Sequence, residues 1–369
     1  PLFSPAEKRD SLSAHRSALK SGDRAGALPR CSLEHASNIP LRVVISAIEH
    51  DSVYEVCMDL KKQYGAEIVE IPVNSEGIVD AQKLEAALNE NTVLVSVQMA
   101  NSEIGVIQPI REIGEIIKNY KLIRQLADKN STYPLFHTDA VQAFQYMKCD
   151  VVELGVDMLT LSAHKIYGPK GIGILYAKNS KLETRNPKQK IDYDYNKQPN
   201  SVSSFEFRVS DFLSPLVIGG GQENGMRSGT ENVPAIVGFA KAVEIAEKMR
   251  VSECARVARL RDALWRGIQK ILPDAELNGS VDMCLPNILS VYFPARPAQD
   301  VCIELDMMGV AVSPGTACSS RAAEPSRVLK TLGFSGDRPY SSIRFSLGRR
   351  TSAGEIQSVL KILKKRFGK

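Results

Sequence analysis

A lysine that follows an apolar segment is the residue with the clearest chemical potential in this chain. Lys165 ends the run Ser162-Ala-His-Lys165, directly after the apolar residues 158–161. Upstream, Asp139 and Gln142 follow a second apolar segment. A lysine amine at a strand end, with a carboxylate, a hydroxyl and a histidine nearby, is suited to bind pyridoxal phosphate as a Schiff base. The sequence therefore predicts a buried, reactive Lys165.

The elements that position these residues follow from hydrophobic periodicity. Helical spacing predicts helices at 53–64, 81–88 and 110–127, and a long one from 234 to about 268. Short apolar runs predict strands at 43–45, 68–71, 92–97, 135–136, 158–161, 172–176 and 288–293. Strands that alternate with helices indicate an α/β fold whose mostly parallel sheet is covered on both faces.

The same patterns predict a division of the chain. Residues 1–40 show neither period, so we expect an atypical, poorly ordered leader. Residues 41–245 are predicted to form a large cofactor-binding domain, and residues 246–369 a smaller C-terminal α+β domain. The polar stretch 178–211 interrupts the alternation and predicts a long surface loop.

Composition excludes several classes of protein. The 369 residues are 43% hydrophobic and 24% charged, with a net charge of +5 and no dense basic block, so nucleic-acid binding is not indicated. No run of apolar residues is long enough to span a membrane. The seven cysteines are scattered and form no Cys-x-x-Cys pair, which argues against a zinc site or a disulfide framework and favours the cytoplasm.

Seven short segments, in order along the chain, resemble the cysteine desulfurases of the class V aminotransferase group, which are fold-type I pyridoxal phosphate enzymes. They are Ile48-Glu-His-Asp-Ser-Val53, Asn101-Ser-Glu-Ile-Gly105, His137-Thr-Asp-Ala-Val-Gln142, Ser162-Ala-His-Lys165, Arg227-Ser-Gly-Thr230, Gly315-Thr-Ala-Cys-Ser-Ser320 and Ser342-Ile-Arg-Phe-Ser-Leu-Gly348. The resemblance implies a homodimer that converts L-cysteine to L-alanine and passes sulfur to an acceptor, such as an iron–sulfur scaffold protein.

The resemblance also implies cofactor-binding roles. Lys165 would hold pyridoxal 5′-phosphate, Asp139 would pair with the pyridinium nitrogen, and Gln142 would donate to the phenolate oxygen. His50 would stack on the cofactor ring and carry protons. Ser162 and His164 would bind the phosphate, together with Thr230 of the partner subunit.

The remaining roles concern the substrate and its sulfur. Cys318 lies in a stretch of small and polar residues, typical of a loop, and would take the sulfur as a persulfide. It is also a hypothetical ligand of a transient iron–sulfur cluster. Arg344 would bind the substrate carboxylate through a bidentate fork. Asn101 and Ser102 would lie near the phenolate side of the cofactor, where the family usually has a second asparagine in place of Ser102.

One departure from the family leaves alternatives open. Residues 1–40 contain no Gly-x-Thr-Glu loop of the kind that opens a phosphate-binding helix in the family, so we expect a missing or replaced N-terminal segment and weaker cofactor binding. One alternative is a homologue with impaired cofactor binding and no catalysis. Another is a selenocysteine lyase, because the sequence does not separate sulfur from selenium.

Overall fold

The computed structural model describes residues 40–129, 131–178, 213–280, 282–315 and 325–368. The predicted leader, most of the predicted 178–211 loop and Cys318 therefore lie outside the described residues. The described residues belong to two compact units. Residues 213–231 belong to one unit and all other described residues to the second. The predicted domain boundary at 245/246 stays a prediction, and it falls inside one continuous helix.

A six-stranded sheet forms the centre of the larger unit, with strand order β2-β1-β3-β4-β5-β6. All neighbouring pairs are parallel except β5 and β6, which are antiparallel. The strands are β1 (Arg42–Ser46), β2 (Glu67–Ile71), β3 (Thr92–Ser96), β4 (Leu135–Asp139), β5 (Met158–Ser162) and β6 (Gly173–Ala177). The predicted α/β class with a mostly parallel sheet is confirmed.

Helices connect these strands and cover the sheet. Helix α1 (Asp51–Tyr64) ends at Gly65, whose φ of 68° closes the helix in the left-handed region that glycine adopts without strain. Helices α2 (Ala81–Ala87) and α3 (Ile110–Ala127) match the predicted periodicity, and a single turn, α4 (Val151–Leu154), precedes β5. Helix α3 buries Ile110, Ile113 and Ile117, the residues at helical spacing that face the core.

The 39-residue helix α5 (Val233–Ile271) leads into a three-stranded antiparallel sheet, ordered β7-β8-β9. Its strands are β7 (Glu276–Leu277), β8 (Ile288–Tyr292) and β9 (Ser342–Ser346), and helices α6 (Ala298–Asp306), α7 (Arg327–Thr331) and α8 (Ala353–Phe367) accompany it. One hydrophobic core runs from Phe136 in the large sheet to Val291 and Phe345 in the small one. Both sheets therefore belong to one packed body.

Residues 213–231 form a separate, turn-rich segment. A 3₁₀ turn covers Glu223–Gly225, and the Gln222 amide oxygen accepts a hydrogen bond from the Gly229 N–H at 3.0 Å. Thr230 is exposed within this segment. In the parts of the chain that the structure describes, no helix has both the length and the apolar character needed to cross a bilayer.

Candidate active site

A cavity of about 250 Å³ opens at the carboxyl ends of the parallel strands, where it meets the small sheet. Parallel α/β sheets bind ligands at this edge because strand ends and helix starts converge there. Seven residues that the sequence singled out line it together: His50, Asn101, Ser102, Gln142, His164, Lys165 and Arg344.

Lys165 lies in a one-turn 3₁₀ helix, Ala163–Ile166, which follows β5 without a break. The turn ends at Tyr167, whose φ of 66° reverses the chain. Ala163 and Ile166 are buried, whereas Lys165 itself is exposed in the single chain. The expectation of a buried Lys165 is therefore wrong. The reason is that the turn lies beyond the sheet edge and directs its apolar residues inward and its amine into the open cavity.

Ser162 and His164 flank the lysine and bind each other. The Ser162 hydroxyl and the His164 Nδ1 are 2.7 Å apart. Partial burial and the cations Lys165 and Lys170 lower the pKa of His164 below its ordinary value, so the imidazole is mainly neutral at pH 7. His164 lines the cavity, whereas Ser162 does not. The pair offers one hydroxyl and one imidazole to an oxyanion beside Lys165.

Asp139 is the last residue of β4 and does not line the cavity. Its Oδ1 accepts a hydrogen bond from the Val141 N–H at 2.9 Å. The pKa of Asp139 is raised above its ordinary value, because burial outweighs the Val141 N–H hydrogen bond and the nearby His50 and Lys165, which lower it. Gln142 lines the cavity in the turn that follows. One strand end thus supplies both a carboxylate and an amide.

His50 caps helix α1 in addition to lining the cavity. Its Nδ1 accepts a hydrogen bond from the Ser52 N–H at 3.2 Å and lies 2.8 Å from the Ser52 hydroxyl. A histidine whose Nδ1 accepts from an amide carries its proton on Nε2 in the neutral form. The cap therefore fixes both the position and the tautomer of the ring.

The turn after β3 carries Asn101, Ser102 and Glu103. The Asn101 Oδ1 accepts from the N–H groups of Glu103 and Ile104, and its Nδ2 donates to the Ile48 carbonyl at 3.1 Å. Asn101 therefore shapes the cavity wall. Arg344, on β9, donates from Nη1 to the Ser102 carbonyl at 2.9 Å. This bond joins the two sheets across the cavity.

Ten of the seventeen lining residues were not predicted from the sequence, among them Glu49, Glu103, Tyr167 and Asn287. Glu49 and Glu103 are buried carboxyl groups, and burial raises the pKa of each. The hydroxyl of Tyr167 accepts a hydrogen bond from the Arg349 N–H at 2.7 Å. Glu49 and Glu103 lie inside segments that resemble the family, and Tyr167 follows such a segment closely. The sequence signal that could have identified the two acids is their position next to His50 and Asn101.

The structure leaves two predicted site residues unplaced. Cys318 lies outside the described residues, so its roles as sulfur acceptor and cluster ligand stay predictions. Thr230 belongs to the separate 213–231 segment. The cysteines of the described residues, Cys57, Cys149, Cys254, Cys284 and Cys302, are free thiols.

Comparison with known proteins identifies the family. The sequence profile described as "Aminotransferase class-V" matches residues 31–359. The chain belongs to this family. It is 38% identical over 323 residues to the cysteine desulfurase IscS of Dictyoglomus turgidum, covering 88% of this chain and 71% of that protein. It is also 38% identical over 321 residues to the cysteine desulfurase IscS 1 of Archaeoglobus fulgidus, with 87% and 72% covered.

Solved structures agree with the sequence comparison. A NifS-like protein superimposes with a TM-score of 0.70 at 30% identity, over 89% of this chain and 75% of that one. A NifS-like protein from Rickettsia africae gives 0.67 at 30% identity, over 88% and 75%. The predicted membership of the cysteine desulfurase group of class-V aminotransferases is confirmed.

Pyridoxal 5′-phosphate is the cofactor of class-V aminotransferases, and the residues of this chain fit it. The cavity holds an amine for the aldehyde, Lys165, and an amide donor, Gln142. A carboxylate, Asp139, lies within electrostatic reach of Lys165 and His50. The Ser162–His164 pair lies beside the lysine in sequence and would supply donors to the phosphate. The cavity and the residues near Lys165 together would thus offer a complementary group to the aldehyde, the ring and the phosphate.

Proposed function

We propose that this class-V aminotransferase is a pyridoxal phosphate-dependent cysteine desulfurase. It converts L-cysteine to L-alanine and transfers the sulfur to Cys318. The observation that carries the proposal is the single cavity that joins Lys165, Gln142 and His50 to Arg344. An amine for a carbonyl cofactor and a guanidinium for a carboxylate, held in one cavity, suit an enzyme that acts on an α-amino acid.

The cofactor-binding residues would act as a set. Lys165 would bind the cofactor covalently, and Asp139 would keep the ring nitrogen protonated. Gln142 would donate to the phenolate oxygen, with Asn101 and Ser102 on the same side. His50 would stack on the ring. When bound, the cofactor supplies an electron sink for the electrons left at Cα after proton removal.

The substrate-binding residues then direct the sulfur chemistry. Arg344 would hold the carboxylate, and the amine of Lys165 would take the Cα proton and return it. The Cys318 thiolate would attack the substrate sulfur. The bond between Cβ and the sulfur of L-cysteine breaks as the bond between that sulfur and the Cys318 sulfur forms. The substrate Cβ then takes a proton and becomes the methyl group of alanine. The products are L-alanine and a persulfide on Cys318, so atoms and electrons balance.

The proposal also includes the oligomeric state, the sulfur acceptor and the cellular compartment. A homodimer would bring Thr230 of the partner subunit to the phosphate. The persulfide would pass to a sulfur-acceptor protein, such as an iron–sulfur scaffold, and Cys318 would be a transient cluster ligand there. We propose the cytoplasm as the compartment, since the described cysteines are free thiols.

The test uses the full chain saturated with pyridoxal phosphate. We expect L-alanine to form from L-cysteine, and mass spectrometry to find one extra sulfur on the peptide that contains Cys318. Cys318→Ser should abolish the persulfide and reduce alanine formation by at least about 10²-fold, the usual range for loss of a nucleophile or its base. Cys302→Ser is the matched control, because burial raises the pKa of that thiol to about 11.

Two outcomes would contradict the proposal. Equal alanine formation by the wild type and Cys318→Ser rules out the sulfur-acceptor role. No absorption band and no alanine at saturating cofactor rules out the activity itself. Turnover of L-selenocysteine, measured in the same assay, distinguishes a desulfurase from a selenocysteine lyase.

A further inference from the structure

A buried carboxyl group in the cavity wall has no place in the function proposed above. Glu49 directly precedes His50, and only 1% of it is exposed. Its Oε1 accepts two hydrogen bonds, from the Ser46 hydroxyl at 2.5 Å and from the Gln98 N–H at 2.7 Å. Ser46 ends β1 and Gln98 follows β3, so this oxygen ties together two neighbouring strand ends at the cavity.

The other carboxyl oxygen of Glu49, Oε2, differs from Oε1 in its hydrogen bonding. Oε2 is buried and has no hydrogen-bond partner among the described residues. A buried carboxylate oxygen without a donor is costly, whereas a protonated oxygen in the same place carries no charge. Because Oε1 already accepts two hydrogen bonds, a proton on this carboxyl group would lie on Oε2.

The backbone around Glu49 is held by several donors. Gln98 Nε2 and Asn101 Nδ2 both donate to the Ile48 carbonyl. Arg327, on α7, donates to the Ala47 carbonyl at 2.6 Å and to the Glu49 carbonyl. The turn is therefore held in place from several sides, and the Glu49 carboxyl group stays buried with it.

The charges that face Glu49 come from several elements. Asp139, on β4, raises its pKa, and Arg327, on α7, lowers it. Cys57, on α1, is close enough for Glu49 to raise the pKa of its thiol. Burial is the largest influence, and together these bring the pKa of Glu49 to about 8, although the Ser46 and Gln98 hydrogen bonds oppose the shift. At pH 7 the side chain is mainly the neutral acid.

We propose that Glu49 is a positioning residue that works as an uncharged carboxylic acid. It holds the turn that carries His50 against the sheet edge, and it does so without placing a second negative charge beside Asp139. Asp139 thereby stays the carboxylate that faces the ring of an anionic cofactor. The inference rests on the proposed cofactor binding, but the stability measurement below tests Glu49 without the cofactor.

The test compares wild type, Glu49→Gln and Glu49→Ala between pH 5 and pH 9. Glutamine keeps the shape and an acceptor oxygen but cannot ionise. At pH 7 we expect Glu49→Gln to bind pyridoxal phosphate within about threefold of wild type, and Glu49→Ala about tenfold more weakly. Between pH 7 and pH 9 the Kd of wild type should rise about tenfold relative to that of Glu49→Gln, because ionised Glu49 repels the cofactor.

Thermal melting of the cofactor-free chains gives the second measurement. The pKa of Glu49 is raised in the folded state, so its stabilising contribution is complete below the unfolded pKa and is lost as pH rises toward 8. The Tm of Glu49→Gln relative to wild type should therefore increase from pH 5 to pH 8, by about 3 °C or more. Glu112→Gln, on the exposed surface of α3, is the matched control and should show no such trend.

The outcomes separate the two proposals. Identical pH dependence of both Kd and Tm in wild type and Glu49→Gln overturns the neutral-acid role. If no variant binds the cofactor, the proposed function fails, and the melting data alone still decide the state of Glu49. If Glu49→Ala does not fold, Glu49→Gln carries the test.

Discussion

The cavity has two walls that are built in different ways. The cofactor wall consists of His50, Gln142, His164 and Lys165 at the carboxyl edge of the parallel sheet. The substrate wall, named after its proposed role, consists of Arg344 and Ser346 on the antiparallel sheet and of Asn287 and Leu347 directly next to its strands. In the first wall each polar residue lies just beyond a buried strand or caps a helix. In the second, the key cation is held from across the cavity by the Ser102 carbonyl.

This difference indicates how cofactor chemistry and substrate selection would be divided between the two sheets. Covalent chemistry needs groups fixed relative to one another, and short connections from one rigid sheet provide that. Substrate selection needs one strong contact to a carboxylate, and in the proposed function a single arginine on a second sheet would provide it. Changes in the cofactor wall should therefore abolish cofactor chemistry, whereas changes in the substrate wall should weaken recognition and leave the cofactor bound.

The largest expected effect is that of Lys165→Ala in the cofactor wall. Without the amine, the covalent link and the proton carrier are both lost, so alanine formation should fall by about 10³-fold or more. The checks are the visible absorption band and borohydride labelling of the peptide that contains Lys165. Lys170→Ala is the control, since that exposed lysine does not line the cavity. A labelled, active Lys165→Ala would contradict the assignment.

A substitution in the substrate wall should lower the activity and leave the cofactor bound. Arg344→Ala should reduce kcat/KM for L-cysteine by about 10²-fold, the equivalent of about 3 kcal/mol for a charge-assisted pair. The absorption spectrum and the Kd for pyridoxal phosphate should stay close to those of wild type. Arg366→Ala, a surface arginine paired with Glu304, is the control. Loss of cofactor binding in Arg344→Ala would show that the walls are not separate.

The elements of the cofactor wall could be predicted from sequence because their signals are local. Residues 110–127 carry a continuous helical period, and the helix has those bounds. The strand predicted at 135–136 extends to Asp139, since polar His137 and Asp139 alternate with buried Phe136 and Thr138 and hide the apolar run. Lys165 and Gln142 were found because each follows a buried strand.

The rest of the site depends on contacts that sequence spacing does not encode. Nothing local to Arg344 indicates that it reaches the Ser102 carbonyl. Glu49 looks like an ordinary charged residue until the strand ends that bury it are known. The expected burial of Lys165 was wrong for a related reason, because the direction of a one-turn helix beyond the sheet is set by packing of Ala163 and Ile166.

Acid should weaken the sheet that supports the cofactor wall. His137, on β4, lies between the Ser96 hydroxyl, 2.8 Å from Nδ1, and the Thr160 hydroxyl, 3.3 Å from Nε2. Burial lowers the pKa of His137 from 6.5 to about 4. A histidine with a lowered folded pKa stabilises the fold above pH 6.5, and this contribution is lost as pH falls from 6.5 toward 4.

The size of this effect follows from the shift of the pKa. The lost stability amounts to about 3 kcal/mol for a shift of this size. Urea unfolding at pH 6.5 and pH 4.5 should measure about 2 kcal/mol of this loss, because the folded pKa lies below pH 4.5. His137→Asn lacks the titrating group, so its free energy of unfolding should fall less between these two values than that of wild type. Equal losses in the two proteins would show that His137 is not the acid-sensitive group.

The smallest expected effect concerns the residue that holds the His50 turn in the cofactor wall. Arg327 donates to the carbonyls of Ala47 and Glu49, and its guanidinium lies 3.8 Å from the ring centre of Tyr54. Arg327→Lys keeps the charge but loses the planar fork that serves both carbonyls and the ring.

We expect Arg327→Lys to lose about 2 kcal/mol of unfolding free energy, measured by urea unfolding, from one or two hydrogen bonds and the cation–π contact. Because the turn carries His50, the Kd for pyridoxal phosphate should weaken in parallel, while KM for L-cysteine at saturating cofactor should change little. Arg338→Lys, which loses similar bonds to Asn278 and Leu277 away from the cavity, should lower stability without the change in Kd. If both variants weaken cofactor binding equally, the effect is a general loss of stability, and Arg327 has no specific part in the cofactor wall.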